Sequence, residues 1–499
     1  MNDLGLSRWI LATWFAGLLL AAAAQTNLQP RSLSLLDSIQ IALAHNLDVK
    51  IARCEPEIAA RQVHIASAAY EPALSFSGSH RFSTSPGGLD EYQRPYVGTT
   101  TERDSYQAGL AGSLPLGTSI NLGSSLSGES GTTPSGPFEN GSGSASVSVR
   151  QPLLKNFWID RARLDIRISK NQLKMSELEF RAQIMRIVTS VELAYYDLIL
   201  AQENIRVREQ ALDLAKQQVI DNQKRVNVGR MAPQDRKQAE SQVANSQVNL
   251  LAAQGSLVAA EYRLKKLLSD DFTAWENVRI EPTESLAAPA QAWSVQESLE
   301  RGLTQRPDFL KAKIDLESQG ITLKYLRNQL YPQLDLVGSY GRLGEGLGYR
   351  DALAGVRSGD TWFYSVGATL TIPLGNRTPR ENYRIGKVRR DQDLLGLKKL
   401  EQDIIVEIGN AVEQAQITFA RVETARQARQ LAEEALAAEQ KKLESGQSTT
   451  FFVLSLQQNL TGARSAELGA LVEYNRALAN LALSEATTLQ RHNLNLEVR

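Results

Sequence analysis

The residues best suited to proton transfer or metal ligation are four histidines, His45, His64, His80 and His492, and they are scattered along the chain. No HExxH run sets two imidazoles one helical turn apart, and no GxSxG elbow or GK[ST] loop occurs. The glycine-rich stretch Gly344-Glu345-Gly346-Leu347-Gly348 lacks the spacing and the following helix that phosphate binding needs, so it reads as a flexible surface loop. Cys54 is the single cysteine. Alone it excludes an internal disulfide framework or a cysteine-clustered metal site, and within a helical pattern it reads as a small buried apolar residue. These types and spacings predict no enzyme, no metal and no cofactor.

The elements that carry these residues suggest a different task. Basic and acidic side chains number 55 each, so no net field steers the chain toward nucleic acid. Residues 1–24 read as a secretory signal peptide: Arg8, an apolar run from Trp9 to Leu20, and the small residues Ala22-Ala23-Ala24. The run is short for a membrane span, which needs about 20 apolar residues. No later stretch approaches a transmembrane helix, so a second membrane crossing would have to be a closed β-barrel.

The chain contains two copies of one plan. Asp37-Ser38-Ile39 set over Glu297-Ser298-Leu299 aligns the two without a gap at an offset of 260 residues. Leu43 then meets Leu303, Asp48 meets Asp308, Pro72 meets Pro332 and Gly78 meets Gly338. Each copy is predicted to hold a helix of about 35 residues (36–70 and 295–330) ended by that proline, a strand region, a second proline (Pro152, Pro373) and a much longer helix. Between Pro152 and Gly229 lie 76 residues with neither Gly nor Pro. Ile184, Val191, Leu198, Ile205, Leu212, Val219 and Val226 recur there every seven residues, as in a coiled-coil seam. Ile408, Ala415, Val422, Leu436 and Leu443 keep the same period in the second copy, with Arg429 interrupting it. A helix over 159–226 is about 100 Å long, and the two shorter helices flanking it sum to about the same, which suits a tall cylinder wall.

The strand regions differ sharply in chemistry from the helices. Residues 73–151 contain 13 Gly and 17 Ser, with apolar residues alternating between them. In the second copy Trp362, Tyr364, Val366, Ala368, Leu370 and Ile372 form one face against Ser365, Gly367, Thr369 and Thr371. A transmembrane barrel needs that alternation, although the pattern alone fits an ordinary half-exposed antiparallel sheet equally well. The export signal and the long helices favour the barrel.

The duplication, the helix–Pro–strand junctions at Pro72 and Pro332, the strand–Pro–helix junctions at Pro152 and Pro373, and a hairpin after each long helix together resemble the TolC-like outer-membrane efflux family. The resemblance implies a mainly α chain with a transmembrane β-barrel. Each protomer would be a duplicated helix–strand–long helix repeat giving four strands to a twelve-stranded barrel and its long helices to a trimeric α-barrel. Four strands cannot close a pore, and an open sheet edge cannot face lipid, so a homotrimer follows. The implied layout is a first repeat over 25–268 with outer-membrane strands at 73–151 and a long helix at 159–227. An irregular linker follows at 269–293, then a second repeat over 294–499 with strands at 333–373 and a long helix at 380–444. An extra hairpin-like stretch at 105–127 either extends strands outside the membrane or adds to the barrel.

The implied function is an outer-membrane exit channel that docks to a periplasmic membrane-fusion adaptor and an inner-membrane pump, with no nucleic-acid partner. The alternative is a periplasmic or surface coiled-coil protein without channel activity. The hairpins near Gly229 and Gly446, with Arg225, Pro233 and Lys442, would be the adaptor-docking tips; glycine suits a helix end and Pro233 a helix start. Relatives carry acidic residues at the entrance where this chain has Phe452 and Ser455. Phe451 or Phe452 is therefore either an apolar constriction or ordinary helix packing, and Asp235 either holds the closed tip or faces water.

Overall fold

The structure, a computed structural model, describes residues 29–229, 231–289 and 293–494. The stretch read as a signal peptide lies outside the described residues. In chain order the first copy comprises β1 (Gln29–Leu33), α1 (Leu35–His45), α2 (Leu47–Ser67), β2 (Ala73–Ser85) and the short pair β3 (Gly88–Leu89) and β4 (Pro95–Tyr96). It continues with β5 (Thr99–Ser113), β6 (Ser119–Thr133), β7 (Gly136–Pro152), α3 (Arg161–Asn227) and α4 (Pro233–Leu268), and is followed by β8 (Val278–Pro282). The second copy comprises α5 (Val295–Gln305), α6 (Pro307–Asn328), β9 (Gln333–Gly346), α7 (Tyr349–Ser358), β10 (Thr361–Thr371), α8 (Arg377–Glu444), α9 (Thr450–Ser484) and α10 (Thr488–Arg491).

Residues 36–70 and 295–330 each fold as two helices instead of one. Asn46 breaks the first: its extended backbone ends α1, and its Oδ1 accepts from the amides of Asp48 (2.8 Å) and Val49 (3.2 Å) to start α2. In the second copy Pro307, which aligns with Leu47 at the start of α2, opens α6 because it lacks the amide that α5 would need to continue. The segment read as an irregular linker contains β8, which pairs in parallel with β1 from Gln29↔Val278 to Leu33↔Pro282.

The chain divides into two compact units. Among the described residues the first (Met1–Arg53, Arg181–Pro307, Gln402–Arg499) is helical apart from the β1–β8 pair. Its core holds Ile39, Ile184, Tyr195, Leu198, Ile408 and Tyr474, with the Tyr195 hydroxyl donating to the Leu33 carbonyl at 2.9 Å. Arg429, the break in the heptad of α8, pairs with Glu433 (2.9 Å) and with Glu467 of α9 (2.5 Å), and Arg464 bonds Glu433 at 3.0 Å. A polar cluster thus replaces one apolar layer between α8 and α9, the kind of feature that fixes register between two helices.

The second unit (Cys54–Phe180, Asp308–Glu401) holds an antiparallel sheet of six strands in the order β10-β9-β7-β6-β5-β2. This departs from the expected four strands. The starts of α1, α2 and β2 precede those of α5, α6 and β9 by 260 residues, but α3 precedes α8 by only 216. The first copy therefore holds 44 extra residues in its strand region, enough for one more hairpin, and the stretch at 105–127 lies in its strands β5 and β6. Leu74, Leu110, Leu122, Val147, Tyr340 and Tyr364 are paired neighbours in one row across one face. The other face is rich in serine, with Oγ–Oγ pairs of 2.7 Å at Ser125–Ser144, Ser127–Ser142 and Ser339–Ser365.

Gly344 and Gly346 lie in β9 and do not form a flexible loop. With Gly128, Gly141 and Gly143 they make a side-chain-free seat for α7 on the apolar face. A Cβ on Gly344 would fall 2.0 Å from the Ala352 carbonyl oxygen, and one on Gly346 would fall 2.2 Å from the Asp351 Cβ. Tyr349, at the start of α7, stacks edge-on against Tyr106 and donates to Asp104 at 3.2 Å. Cys54 is exposed on α2, not buried; it lies in line with Ile51 and Ile58, apolar residues that α2 also leaves exposed. The strand-to-helix turns use left-handed asparagines, Asn156 (φ 66) and Asn376 (φ 42). The Asn376 side chain donates to the Leu330 carbonyl at 3.0 Å.

Candidate functional site at the two helix hairpins

Each long helix of the first unit ends in a glycine-terminated reversal. α8 closes with Gly446 at φ 79, its amide bonding Leu443 O at 3.2 Å and the Gln447 amide bonding Lys442 O at 2.9 Å. That pair of bonds is a Schellman motif, which satisfies carbonyls the helix would otherwise leave open. α3 ends similarly: Gly229 stands at φ 70 and bonds Val226 O at 3.0 Å, then Pro233 starts α4 at its first turn. A Cβ on either glycine would meet nothing within 4 Å, so only backbone strain demands glycine there.

The sequence-derived residues separate into three groups. Arg225 reaches across to the other hairpin, donating to Leu443 O at 3.3 Å, while Lys442 stays exposed and pairs with Glu439 at 3.3 Å. Gly229, Pro233 and Gly446 sit in the reversals themselves. Phe451 and Phe452 open α9 side by side, ring centroids 5.8 Å apart, and keep 59% and 56% of their surface exposed. The next two residues behave oppositely: Val453 and Leu454 are buried, and Val453 joins Leu436, Leu443 and Leu460 in the core between α8 and α9. Ser455 is half-buried on the following turn. Asp235 is half-buried at the start of α4, and its backbone carbonyl accepts from Asn222 Nδ2 at 3.2 Å.

Asn222 was missed by reading only one line of the heptad. It is fully buried three residues after Val219, on a second line that includes Ile187, Ala194, Ala201 and Ala215. A polar residue at the last layer of that line was the available signal. Arg236 was also missed; it bonds Gln223 at 2.6 Å and Glu240 at 2.9 Å, tying α4 back to α3. The two hairpins touch through Thr450, whose hydroxyl lies 3.9 Å from the Met231 sulfur. Among the described residues no group of His, Cys, Asp or Glu could hold a metal ion. What the reversals offer is a mixed-charge, backbone-rich surface with two exposed aromatic rings.

A family model described as outer membrane efflux protein matches residues 103–269 and 299–487. The chain is 25% identical over 370 residues to the outer membrane efflux protein BepC of Brucella suis biovar 1 (strain 1330), covering 72% of this chain and 74% of that one. It is 22% identical over 451 residues to nodulation protein T of Rhizobium leguminosarum bv. trifolii, covering 89% and 84%. The fold is similar to that of the CmeC outer membrane channel of Campylobacter jejuni, with a TM-score of 0.64, 17% identity and coverage of 93% of this chain and 90% of that one.

Proposed function

The chain belongs to the outer membrane efflux protein family and is an outer-membrane efflux channel, and from that premise we propose that it works as a homotrimer docked to a periplasmic adaptor and an inner-membrane pump. The observation that carries this reading is the six-stranded sheet, apolar on one face and serine-rich on the other, whose edge strands have no outer partner among the described residues. No helix of the described residues is long and apolar enough to cross a membrane. An edge in hydrocarbon leaves backbone groups unsatisfied at several kcal/mol each, so the sheet needs other copies.

The reversals at Gly229 and Gly446, with Arg225, Pro233 and Lys442, form the adaptor-docking surface in this proposal. Phe452, three copies around one axis, narrows the entrance with Phe451 and Ser455 beside it, and Asp235 braces the neighbouring hairpin. An apolar ring resists ions by dewetting instead of by charge. No catalytic step is assigned. The test is dye export in cells lacking the gene, alongside the mass of the detergent-extracted protein. Restored export by a trimer is expected; a water-soluble monomer that leaves export unchanged would overturn the reading.

A further inference from the structure

The edges of the sheet are β2 and β10, and what closes them decides how wide the channel is. We propose that three copies of this chain close one eighteen-stranded barrel, each contributing all six strands, with β2 of one copy paired to β10 of the next. The proposal rests on the trimeric channel reading and sets the width of its membrane section.

The extra hairpin is interior to the sheet. β5 pairs with β2 from Ala73↔Ala111 to Ser85↔Thr99, and β6 pairs with β7 from Ser119↔Arg150 to Thr133↔Gly136. Folding β5 and β6 out of the barrel would break both ladders along their whole length. The hairpin also carries the same two-faced chemistry as its neighbours. Tyr106, Ala108 and Leu110 of β5 and Ile120, Leu122 and Leu126 of β6 share the apolar face, while Gln107 and Ser125 share the serine-rich one. A hairpin destined for water has no need of an apolar row in register with Leu74 and Val147.

Strand direction allows the closure. Each chain enters β2 from α2 and leaves β10 toward α8, and an even number of antiparallel strands makes those two edges run oppositely. Identical copies can therefore join β2 to β10 through an ordinary antiparallel ladder. Both edges are equipped for lipid: Leu74 and Phe76 on β2 are 64% and 75% exposed, and Val366 and Leu370 on β10 are 75% and 57% exposed. Barrel diameter grows roughly linearly with strand number, so eighteen strands give about 1.5 times the diameter of twelve and enter the range of porins with an open aqueous lumen. The membrane section then selects little, and selection falls to the helical part of the channel.

The test is disulfide trapping in outer membranes, in a Cys54→Ser background, with the full chain. Ser77→Cys is combined in turn with Ser365→Cys, Gly367→Cys or Thr369→Cys, all on the serine-rich face of the two edges. At least one pair should give, on oxidation, a covalent ladder that stops at three chains. Gln107→Cys with Ser77→Cys, and Ser125→Cys with Ser144→Cys, should cross-link within one chain. Ready trapping of Ser77→Cys with Ser144→Cys in an intact trimer would mean a twelve-stranded barrel with the hairpin outside, and would overturn the width while leaving the channel standing. A ladder that stops at two chains would overturn it as well, by giving twelve strands from a dimer. A protein that extracts as a monomer without any intermolecular trapping would overturn the channel reading too. Strands counted in an electron-microscopic map of the unmodified protein settle the matter without any substitution: eighteen is expected, and twelve refutes.

Discussion

Replacing Phe452 with Ala separates a gate from a packing residue, because the two roles make opposite demands on stability. In a single chain Phe452 is 56% exposed, so rather less than half of its surface is covered. An aromatic side chain offers about 200 Å², and Ala retains part of what is covered, so about 60 Å² of burial is lost. At roughly 25 cal/mol per Å² this amounts to about 1.5 kcal/mol per chain, an upper bound because the unfolded chain is partly collapsed. Leu460 is the internal reference: it lies on the same helix, is 5% exposed and belongs to the α8–α9 core. Leu460→Ala should cost about 3 kcal/mol, the middle of the range for a buried leucine. Single-channel conductance in planar bilayers and thermal melting of the trimer read the two effects. Phe452→Ala should raise closed-state conductance with a small melting shift, and Leu460→Ala should lower melting with wild-type conductance. If Phe452→Ala melts as early as Leu460→Ala and conducts like the wild type, the ring packs between copies and is no constriction.

Gly229→Val and Gly446→Val should impair dye export while the protein still inserts and trimerises. The added side chain finds open space, so the cost is the left-handed backbone alone, about 1–2 kcal/mol at each reversal; unchanged export in both variants removes the docking assignment. Hydrogen bonds from Arg464, and then from Arg429, hold the Glu433 carboxyl below its usual 4.5. A carboxylate with a depressed folded-state value stabilises above its unfolded value and loses that contribution as pH falls. Glu433→Gln should therefore melt earlier than wild type at pH 7, and the gap should close below about pH 4.5; a gap independent of pH would mean that the ion pairs carry none of it. Gly344→Val should unseat α7, because its Cβ meets the Ala352 carbonyl at 2.0 Å and the Val356 amide nitrogen at 2.6 Å, both rigid backbone atoms. Trypsin should then cut at Arg350 or Arg357 in a protein that still assembles, and wild-type resistance would show that the seat tolerates a side chain.

The helices were legible because proline, glycine and the seven-residue period punctuate them directly. Pro233 opens α4, Gly229 and Gly446 close the reversals, and Ile408, Ala415, Val422, Leu436 and Leu443 are all buried. The break at Asn46 was harder to see, because an asparagine inside a helical pattern caps a new helix only if its own backbone turns extended. The strand number failed for a different reason. Tyr106, Ala108 and Leu110 alternate as regularly as the strands of the second copy, so the residues' own period points to more strands than the family's count of four. The glycines at 344 and 346 were misread because, in sequence, a seat for a helix and a flexible loop look alike: both are simply positions without side chains.

At the hairpins the limit on sequence reading is geometric. Phe451-Phe452-Val453-Leu454 is one unbroken apolar run, and nothing in its composition says which two residues face the partner helix. Helical spacing decides it only once Leu443 and Leu460 are known to be core, since Val453 lies seven residues before Leu460. The two phenylalanines then fall on the face that one chain leaves uncovered. Two exposed aromatic rings cost a lone chain solubility without adding to its core, and the proposed trimer gives them cover, a neighbouring copy or the ring closed by three. The same holds for Leu74 and Val366 at the sheet edges, which are exposed in one chain and which the proposed barrel turns toward lipid. In a chain proposed to form one part of a closed wall, the apolar residues left uncovered in isolation point to the working surfaces, and the buried ones report the scaffold.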